Sequence, residues 1–290
     1  MPLVDAHVHL YPPAVGADPA AWAARQGEAH WSRLCTRVRR DGRPVQAFPT
    51  VDELLRTLDA AGVDRAWLLG WYWEQAATCA LHNRFIAACV RAHPDRFSGF
   101  ASVQPRAGEA VVAAELRRAR DEGLVGVGEL SPHSQGCPPD EPGLAAVLAQ
   151  AGQWGWPVNL HVTDPDSRPY PGRVETPMAD LLGWARAHPG TRFILAHWGG
   201  LWPLRDAAAR ALPNVWYDTA ASPLLYDASV WRRFTAAVPS SRVLFGSDHP
   251  LVLYPRIAAG AEIGGLVAEA RAAGQGADVL GGNAVGLLAG

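Results

Sequence analysis

At 290 residues, with 49% hydrophobic and 19% charged side chains, the chain has enough apolar matter for one large core, but no run near the roughly 20 apolar residues that a bilayer span needs. A formal net charge of -2 supplies no basic excess to neutralise a phosphate backbone, which argues against nucleic acid as the main partner. All 26 basic residues are Arg, so there is no Schiff-base lysine, no P-loop lysine and no carboxylated lysine to bridge two metal ions.

Short β-branched and apolar runs recur at roughly 25 to 35 residues, each followed by a helical pattern, as in βα units around a parallel sheet. The first strand is expected at Leu3–His9. The segment Tyr11 to Thr50 then connects where a few residues would do. Trp22, His30, Trp31 and Phe48 give it enough apolar matter to fold over a barrel mouth as a lid, or to pack as an insertion with no catalytic part. A helix over Val51–Ala61, closed by Gly62, leads to a strand at Arg65–Trp71. Further strands are expected at Phe97–Gln104, Leu124–Leu130, Pro157–Val162, Arg192–His197, Val215–Thr219 and Arg242–Asp248. Among the amphipathic stretches between them, Ala110–Glu122 is stopped by Gly123 and Leu144–Gln153 by Gly155. Eight strand–helix pairs match an α/β fold of the (β/α)8 TIM-barrel type, whereas a doubly wound sheet would use fewer strands and a Gly-rich first turn. No linker or internal repeat divides the chain, so residues 1–290 are expected to form one domain, with 11–50 as the insertion.

Catalytic groups of such barrels come from the C-terminal ends of strands, and ligand-type side chains recur there. His7 and His9 end the first strand two residues apart, so strand alternation aims both at the interior, with Asp5 of the same parity expected to back a ring. His161 ends the fifth strand and His197 the sixth, each emerging from an apolar run that tolerates an unpartnered imidazole badly. Asp248 closes the eighth, where a carboxylate can ligate an ion and accept a proton from the water on it. Glu129 ends the fourth, after Gly126 and Gly128 that leave room for close approach. Each of these alone is a weak signal; what carries weight is their coincidence at strand ends.

Together, DAHVHL at 5–10, NLHVTD at 159–164, ILAHWGG at 194–200 and LFGSDHP at 244–250, with LGGNAVGLL at 280–288, resemble the amidohydrolase superfamily, specifically its amidohydrolase-related branch, over the whole chain. The resemblance implies His7, His9, His161 and Asp248 as metal ligands, and His197 as a ligand of a second ion or as the residue that polarises or protonates the substrate. Many binuclear members bridge two ions with a carboxylated Lys on the fourth strand. Glu129 stands in that strand here and can bridge instead, as in the branch that includes the TatD-like phosphodiesterases, or else support a single ion from outside its ligand set. The mixed nitrogen and oxygen donors suit zinc first, with manganese, iron or cobalt as alternatives; one ion is favoured over two.

The expected activity is hydrolysis of a small amide, lactone or ester by a zinc-activated water, with Asp248 moving the proton and His197 stabilising the oxyanion. The alternative is non-oxidative decarboxylation of an aromatic or unsaturated carboxylic acid. A TatD-like nuclease suits the charge poorly, and a scaffold has no use for six ligand-type side chains. Trp71 and Trp73 after the second strand, and Trp198 after His197, are expected to wall the substrate. Arg168 and Tyr170 lie in the loop after the fifth strand, where an Arg could hold a substrate carboxylate, and His133, just beyond Glu129, could also contact the substrate. The expected partner is a small molecule, with neither nucleic acid nor membrane; homo-oligomers are allowed. Cys35, Cys79, Cys89 and Cys137 form no C-x-x-C pair and the N-terminal run has no secretory pattern, so a reducing cytoplasm is expected.

Overall fold

Eight parallel strands, each paired with the next in the chain, run β1 (Val4–His9), β2 (Arg65–Leu69), β3 (Phe97–Ala101), β4 (Gly126–Leu130), β5 (Pro157–Leu160), β6 (Arg192–Leu195), β7 (Val215–Asp218) and β8 (Val243–Leu244). The computed structural model describes residues 1–255 and 262–289. Backbone bonds from Ala6 N to Phe245 O (2.8 Å) and from Asp248 N to His7 O (2.9 Å) bring the chain after β8 back to β1, making the sheet a barrel. Among the described residues no helix is long and apolar enough to cross a membrane.

The connection after β1 folds as three short helices, α1 (Pro13–Ala17), α2 (Pro19–Gln26) and α3 (Ala29–Cys35). Proline opens the first two, and the Asp18 carboxylate accepts Ala21 N (3.0 Å) to cap α2. Val15, Trp22, Trp31 and Cys35 do not join the main core. They form a separate cluster with Tyr11 and with Trp71, Tyr72 and Trp73 from the loop after β2. Glu28 fixes this packing by accepting the amides of Glu74 (2.7 Å) and Gln75 (3.1 Å).

His82, to which the sequence attaches no role, ties the connection to the barrel. Trp73 Nε1 donates to its Nδ1 (3.0 Å), and its Nε2 donates to Leu10 O (2.8 Å), a pattern only the neutral ring can make. Burial pushes His82 down to about 4 from the ordinary 6.5. Between these values the unfolded chain binds a proton that the fold refuses, so stability is full above pH 6.5 and falls as the pH drops toward 4, by about 3 kcal/mol from this group. Thermal melts from pH 7 to 4.5 are expected to show a shallower fall in Tm for His82→Gln than for the parent; equal slopes would assign the acid sensitivity to other groups.

Outside the sheet, α4 (Val51–Ala61) has the expected bounds because Thr50 and Glu53 complete a capping box (Thr50 N to Glu53 Oε2, 2.8 Å; Glu53 N to Thr50 Oγ1, 3.3 Å) and Gly62 ends it at φ +66°. With α5 (Ala76–Ala92), α6 (Glu109–Asp121), α7 (Pro142–Trp154) and α8 (Met178–Ala187), it buries Leu54, Ile86, Leu116, Val147 and Leu181 in one core with Val8, Leu68, Val127 and Val158 of the strands. A second layer of Val4, Ala6, Trp67, Phe100, Ile194 and Leu244 fills the barrel, closed by Ala284 and Leu287 of the last helix. Trp67 stacks on Phe100 inside the barrel (5.0 Å between ring centroids).

Several strands stop before their expected ends. β5, β6 and β8 end at Leu160, Leu195 and Leu244, so His161, His197 and Asp248 lie one, two and four residues past the ladder. Side chains take over from the ladder there: Gly246 N donates to Thr219 Oγ1 (3.0 Å) and Ser247 N to Asp5 Oδ1 (2.9 Å). His197 and Asp248 adopt left-handed backbone angles, φ +56° and +67°, which a non-glycine residue holds only when its surroundings fix it.

Candidate metal centre

β1 pairs with β2 through a register shift between Asp5 and Val8, an extra residue that re-aims the side chains after it. His7 and His9 follow the shift and face one another, Nε2 to Nε2, at 3.2 Å. Asp5 precedes it. It accepts the amides of His7 (3.2 Å) and Ser247 (2.9 Å) rather than an imidazole, which corrects the expectation that it backs a ring.

The group that holds His7 is Asp218, at the end of β7. Its Oδ2 accepts His7 Nδ1 and Asn159 Nδ2 (both 2.9 Å), and its Oδ1 accepts the amides of His197 (3.0 Å) and Ala220 (3.1 Å). One fully buried carboxylate thus orients the ring of His7 and the backbone of His197. Burial alone would raise it, but the His7 charge beside it keeps Asp218 below the ordinary carboxylate value.

β4 carries a second register shift, between Val127 and Leu130. Gly128 stands at φ +134°, and a Cβ there would come within 2.7 Å of Asn159 O, so only glycine fits. Glu129 enters the centre from this bulge. Its Oε1 accepts His161 Nδ1 (3.0 Å) and lies 3.6 Å from His197 Nε2, while its Oε2 is 3.6 Å from His9 Nε2. Asp248 Oδ1 is 3.5 Å from His9 Nε2 and 3.6 Å from His7 Nε2. Two groups come within common ligand reach, His7–His9–Glu129 and Glu129–His161–His197, with Glu129 in both. His161 thus stands with Glu129 and His197.

The donor set fits a cation. His7 gives its Nδ1 hydrogen to Asp218, and His9 Nδ1 faces Leu69 O (3.4 Å), an acceptor only. Neutral rings in those tautomers aim two lone pairs at each other across 3.2 Å, which repel unless positive charge lies between them. His197 is fixed in the same sense, with Nδ1 on Ala220 O (3.1 Å) and a bare Nε2 toward His161 Nδ1 (3.1 Å). His161 Nδ1–H can satisfy both His197 and Glu129, so this second group is complete with neutral rings, whereas the His7–His9 pair needs a positive charge, a proton or a cation, between its rings.

The field points the same way. Burial opposes charge on His7, yet Asp218, with Glu129 and Asp248 behind it, outweighs burial and pushes the ring up to about 10. Burial likewise opposes charge on His197, which contact with Glu129 and the field of Asp248 overcome. Burial would raise Glu129, but His161, His197 and His9 hold it well below the carboxylate range. Positive charge is favoured at the point where the imidazoles converge.

A cavity of about 810 Å³ opens on this cluster. His161, His197 and Asp248 reach its floor; Trp71, Arg168 and Tyr170 line it, as does Tyr72. Trp71 meets His9 edge-on (4.9 Å) and stacks on Tyr72 (4.4 Å), whose ring is 5.3 Å from His161. Three residues expected to contact the substrate lie away from the cavity lining. Trp73 is buried in the insertion cluster because it bonds to His82. Trp198 turns away into the helix layer, its Nε1 on Ser222 Oγ (3.0 Å) and its ring on Trp231 (4.9 Å). His133 is held by Asp180 (2.9 Å) and stacked on Trp184, leaving Ser134 at the cavity. The insertion adds wall residues to which the sequence assigns no contact with substrate, among them His30, Cys35 and Gln46.

An eight-stranded barrel with imidazoles and carboxylates that could hold a metal ion, gathered just past the C-terminal ends of its strands, has the layout of metal-dependent barrel proteins. The chain belongs to the amidohydrolase-2 family of the amidohydrolase superfamily: the family model described as Amidohydrolase matches residues 4–289. No curated protein matches the sequence. Among solved structures, a 5-carboxyvanillate decarboxylase from Sphingomonas paucimobilis is similar at TM-score 0.72 and 18% identity, covering 99% of this chain and 98% of that one. A 2,6-dihydroxybenzoate decarboxylase complexed with 2,6-dihydroxybenzoate gives TM-score 0.67 and 18% identity, covering 99% of each chain. A 5-carboxyvanillate decarboxylase from Novosphingobium aromaticivorans, complexed with manganese and 4-hydroxy-3-methoxy-5-nitrobenzoic acid, gives 0.68 and 15%, covering 96% of this chain and 92% of that one. At these identities the likeness establishes the fold.

Proposed function

We propose that the protein is a metal-dependent, non-oxidative decarboxylase of an aromatic carboxylic acid. The observation that carries this reading is the aromatic wall: Trp71 and Tyr72, stacked on each other, stand edge-on and tilted against His9 and His161 and bound the cavity over the cluster. A flat ring laid there has its carboxylate directed at the imidazoles. The similar structures that carry decarboxylase names favour this reading over hydrolysis, the main expectation from the sequence.

His7, His9, Glu129 and Asp248 would hold a single zinc or manganese ion, which when bound anchors the substrate carboxylate and withdraws charge from it. The chain supplies the rest. The Trp71–Tyr72 wall holds the ring, Arg168 and Tyr170 close the mouth, and His197 steadies a carboxylate oxygen. The Asp248 side chain is 14% exposed against 2% for Glu129, so it is the carboxyl group that can exchange a proton with the cavity. It passes that proton to the ring carbon. The carbon–carboxyl bond then breaks, its electron pair returns to the ring, carbon dioxide leaves, and Asp248 recovers a proton from solvent.

Protein loaded with Zn²⁺ or Mn²⁺ and given carboxyl-¹³C hydroxy- and methoxybenzoic acids is expected to release ¹³CO₂, to stop on addition of a chelator, and in D₂O to place deuterium on the vacated ring carbon. Hydrolysis of lactones, esters or amides by the same preparation, without carbon dioxide release from any acid, would overturn the decarboxylase reading in favour of the hydrolase.

A further inference from the structure

Among the described residues, Tyr11 Oη, Trp31 Nε1, Gln46 Nε2 and Trp71 Nε1 are buried polar atoms that make no well-formed hydrogen bond, although the first three lie against one another. Each destabilises the fold unless something completes it, and all four are close together. The Trp31 indole and the Gln46 amide flank the Tyr11 hydroxyl, and the Tyr11 ring lies 5.6 Å from Trp31 and 6.3 Å from Trp71. Gln46 and Trp71, only 5% and 8% exposed, both line the cavity. Gln46 is bridged to Leu251, and Ala47 N donates to Pro250 O (2.9 Å), so Gln46 is held against the chain that follows Asp248. Trp71 is against His9.

The oxygen and nitrogen of a glutamine amide are interchangeable by rotation. With Oε1 turned to Tyr11, the hydroxyl can accept from Trp31 Nε1 and donate to Gln46, which completes Trp31 and Tyr11. The Gln46 NH₂ group then faces the cavity as a donor, and Trp71, whose buried N–H has no partner, lines the same cavity beside His9. Two N–H donors with no protein acceptor suit an oxygen on the ligand.

We infer that Gln46, set in place by Tyr11, and Trp71 bind an oxygen substituent of the substrate ring (hydroxyl, alkoxyl or a further carboxylate) on the side of His9 and Asp248, so that the insertion after β1 helps to set specificity. The inference rests on the reading of the substrate as an aromatic acid, and it is tested by binding rather than by turnover.

The probes are 2-, 3- and 4-hydroxybenzoate, each paired with the methylbenzoate of the same position, and binding to the Mn²⁺-loaded full chain is followed by calorimetry. The parent protein is expected to bind at least one hydroxy isomer about tenfold more tightly than its methyl counterpart, the size of effect expected when a buried donor loses its acceptor. Gln46→Leu and Trp71→Phe are each expected to reduce that preference, taken as the ratio of hydroxy to methyl affinity, about fivefold or more, with methylbenzoate affinity held within about twofold in Gln46→Leu. Tyr11→Phe, acting through Gln46, is expected to weaken the preference less. Should Gln46→Leu fail to fold, Gln46→Glu keeps the shape and replaces the donor with an acceptor; it is expected to abolish the preference. The absence of any hydroxyl preference in the parent, or a preference that survives both Gln46→Leu and Trp71→Phe, would overturn the inference. Donor-dependent binding without carbon dioxide release would support it and overturn the decarboxylase reading; carbon dioxide release with no hydroxyl preference would do the reverse.

Discussion

Substitution His9→Ala is expected to leave the protein without its divalent ion and without turnover. His9 Nε2 faces His7 Nε2, Glu129 Oε2 and Asp248 Oδ1, all within 3.6 Å, so it touches each of the other three groups that would hold the ion. Removing a group that merely orients a ligand costs about 10–100-fold in metal affinity or activity, and removing the ligand itself should cost more. The fold should survive, because the ring bonds to the barrel only through a long Nδ1 contact to Leu69 O (3.4 Å) and its absence leaves space beside the cavity. Elemental analysis together with the rate of carbon dioxide release checks this. An unchanged metal stoichiometry in His9→Ala would remove His9 from the ligand set.

Asp218→Ala is the other large effect, and it acts on two quantities at once. The carboxylate accepts His7 Nδ1, Asn159 Nδ2 and the amides of His197 and Ala220 within 3.1 Å, with no exposure to solvent. Deleting it leaves four buried donors unpaired and His7 without its counter-charge. The expected loss of stability is about 3–5 kcal/mol, the range for breaking one side of a buried charged pair. Metal affinity should fall about 10–100-fold because the His7 tautomer is no longer fixed. Asp218→Asn keeps the volume and one accepting oxygen, so it should recover much of the stability but little of the metal affinity. Urea denaturation and Mn²⁺ titration separate the two effects. If Asp218→Asn bound metal as tightly as the parent, His7 would be oriented by something else.

These two residues differ in how far the sequence announces them. His9 ends an apolar strand two residues after another histidine, and the same kind of local contrast marks His161, His197, Glu129 and Asp248; the structure brings all six together. Asp218 also ends an apolar run, but an aspartate before Thr-Ala reads equally as a turn or cap. Its partner His7 is 211 positions away, so only the closed barrel reveals their contact. The α4 boundaries were legible because a capping box and a stop glycine are local devices. The register shifts in β1 and β4 were not, since an extra residue in a ladder is defined by the neighbouring strand; this is why Asp5 was given the wrong partner. Trp73 and Trp198 show a related limit. Next to residues that face the cavity, they turn into clusters built by α2, α3 and the later helices, and sequence proximity to a strand end does not report that turn.

Crystals of the protein grown or soaked with Mn²⁺, examined by anomalous diffraction, would locate the ion itself. One strong peak is expected between His7 Nε2 and His9 Nε2, within coordination distance of Glu129 and Asp248. A fully formed barrel with no peak there at millimolar Mn²⁺, or with a peak only at another place on the protein, would mean that these side chains hold no metal.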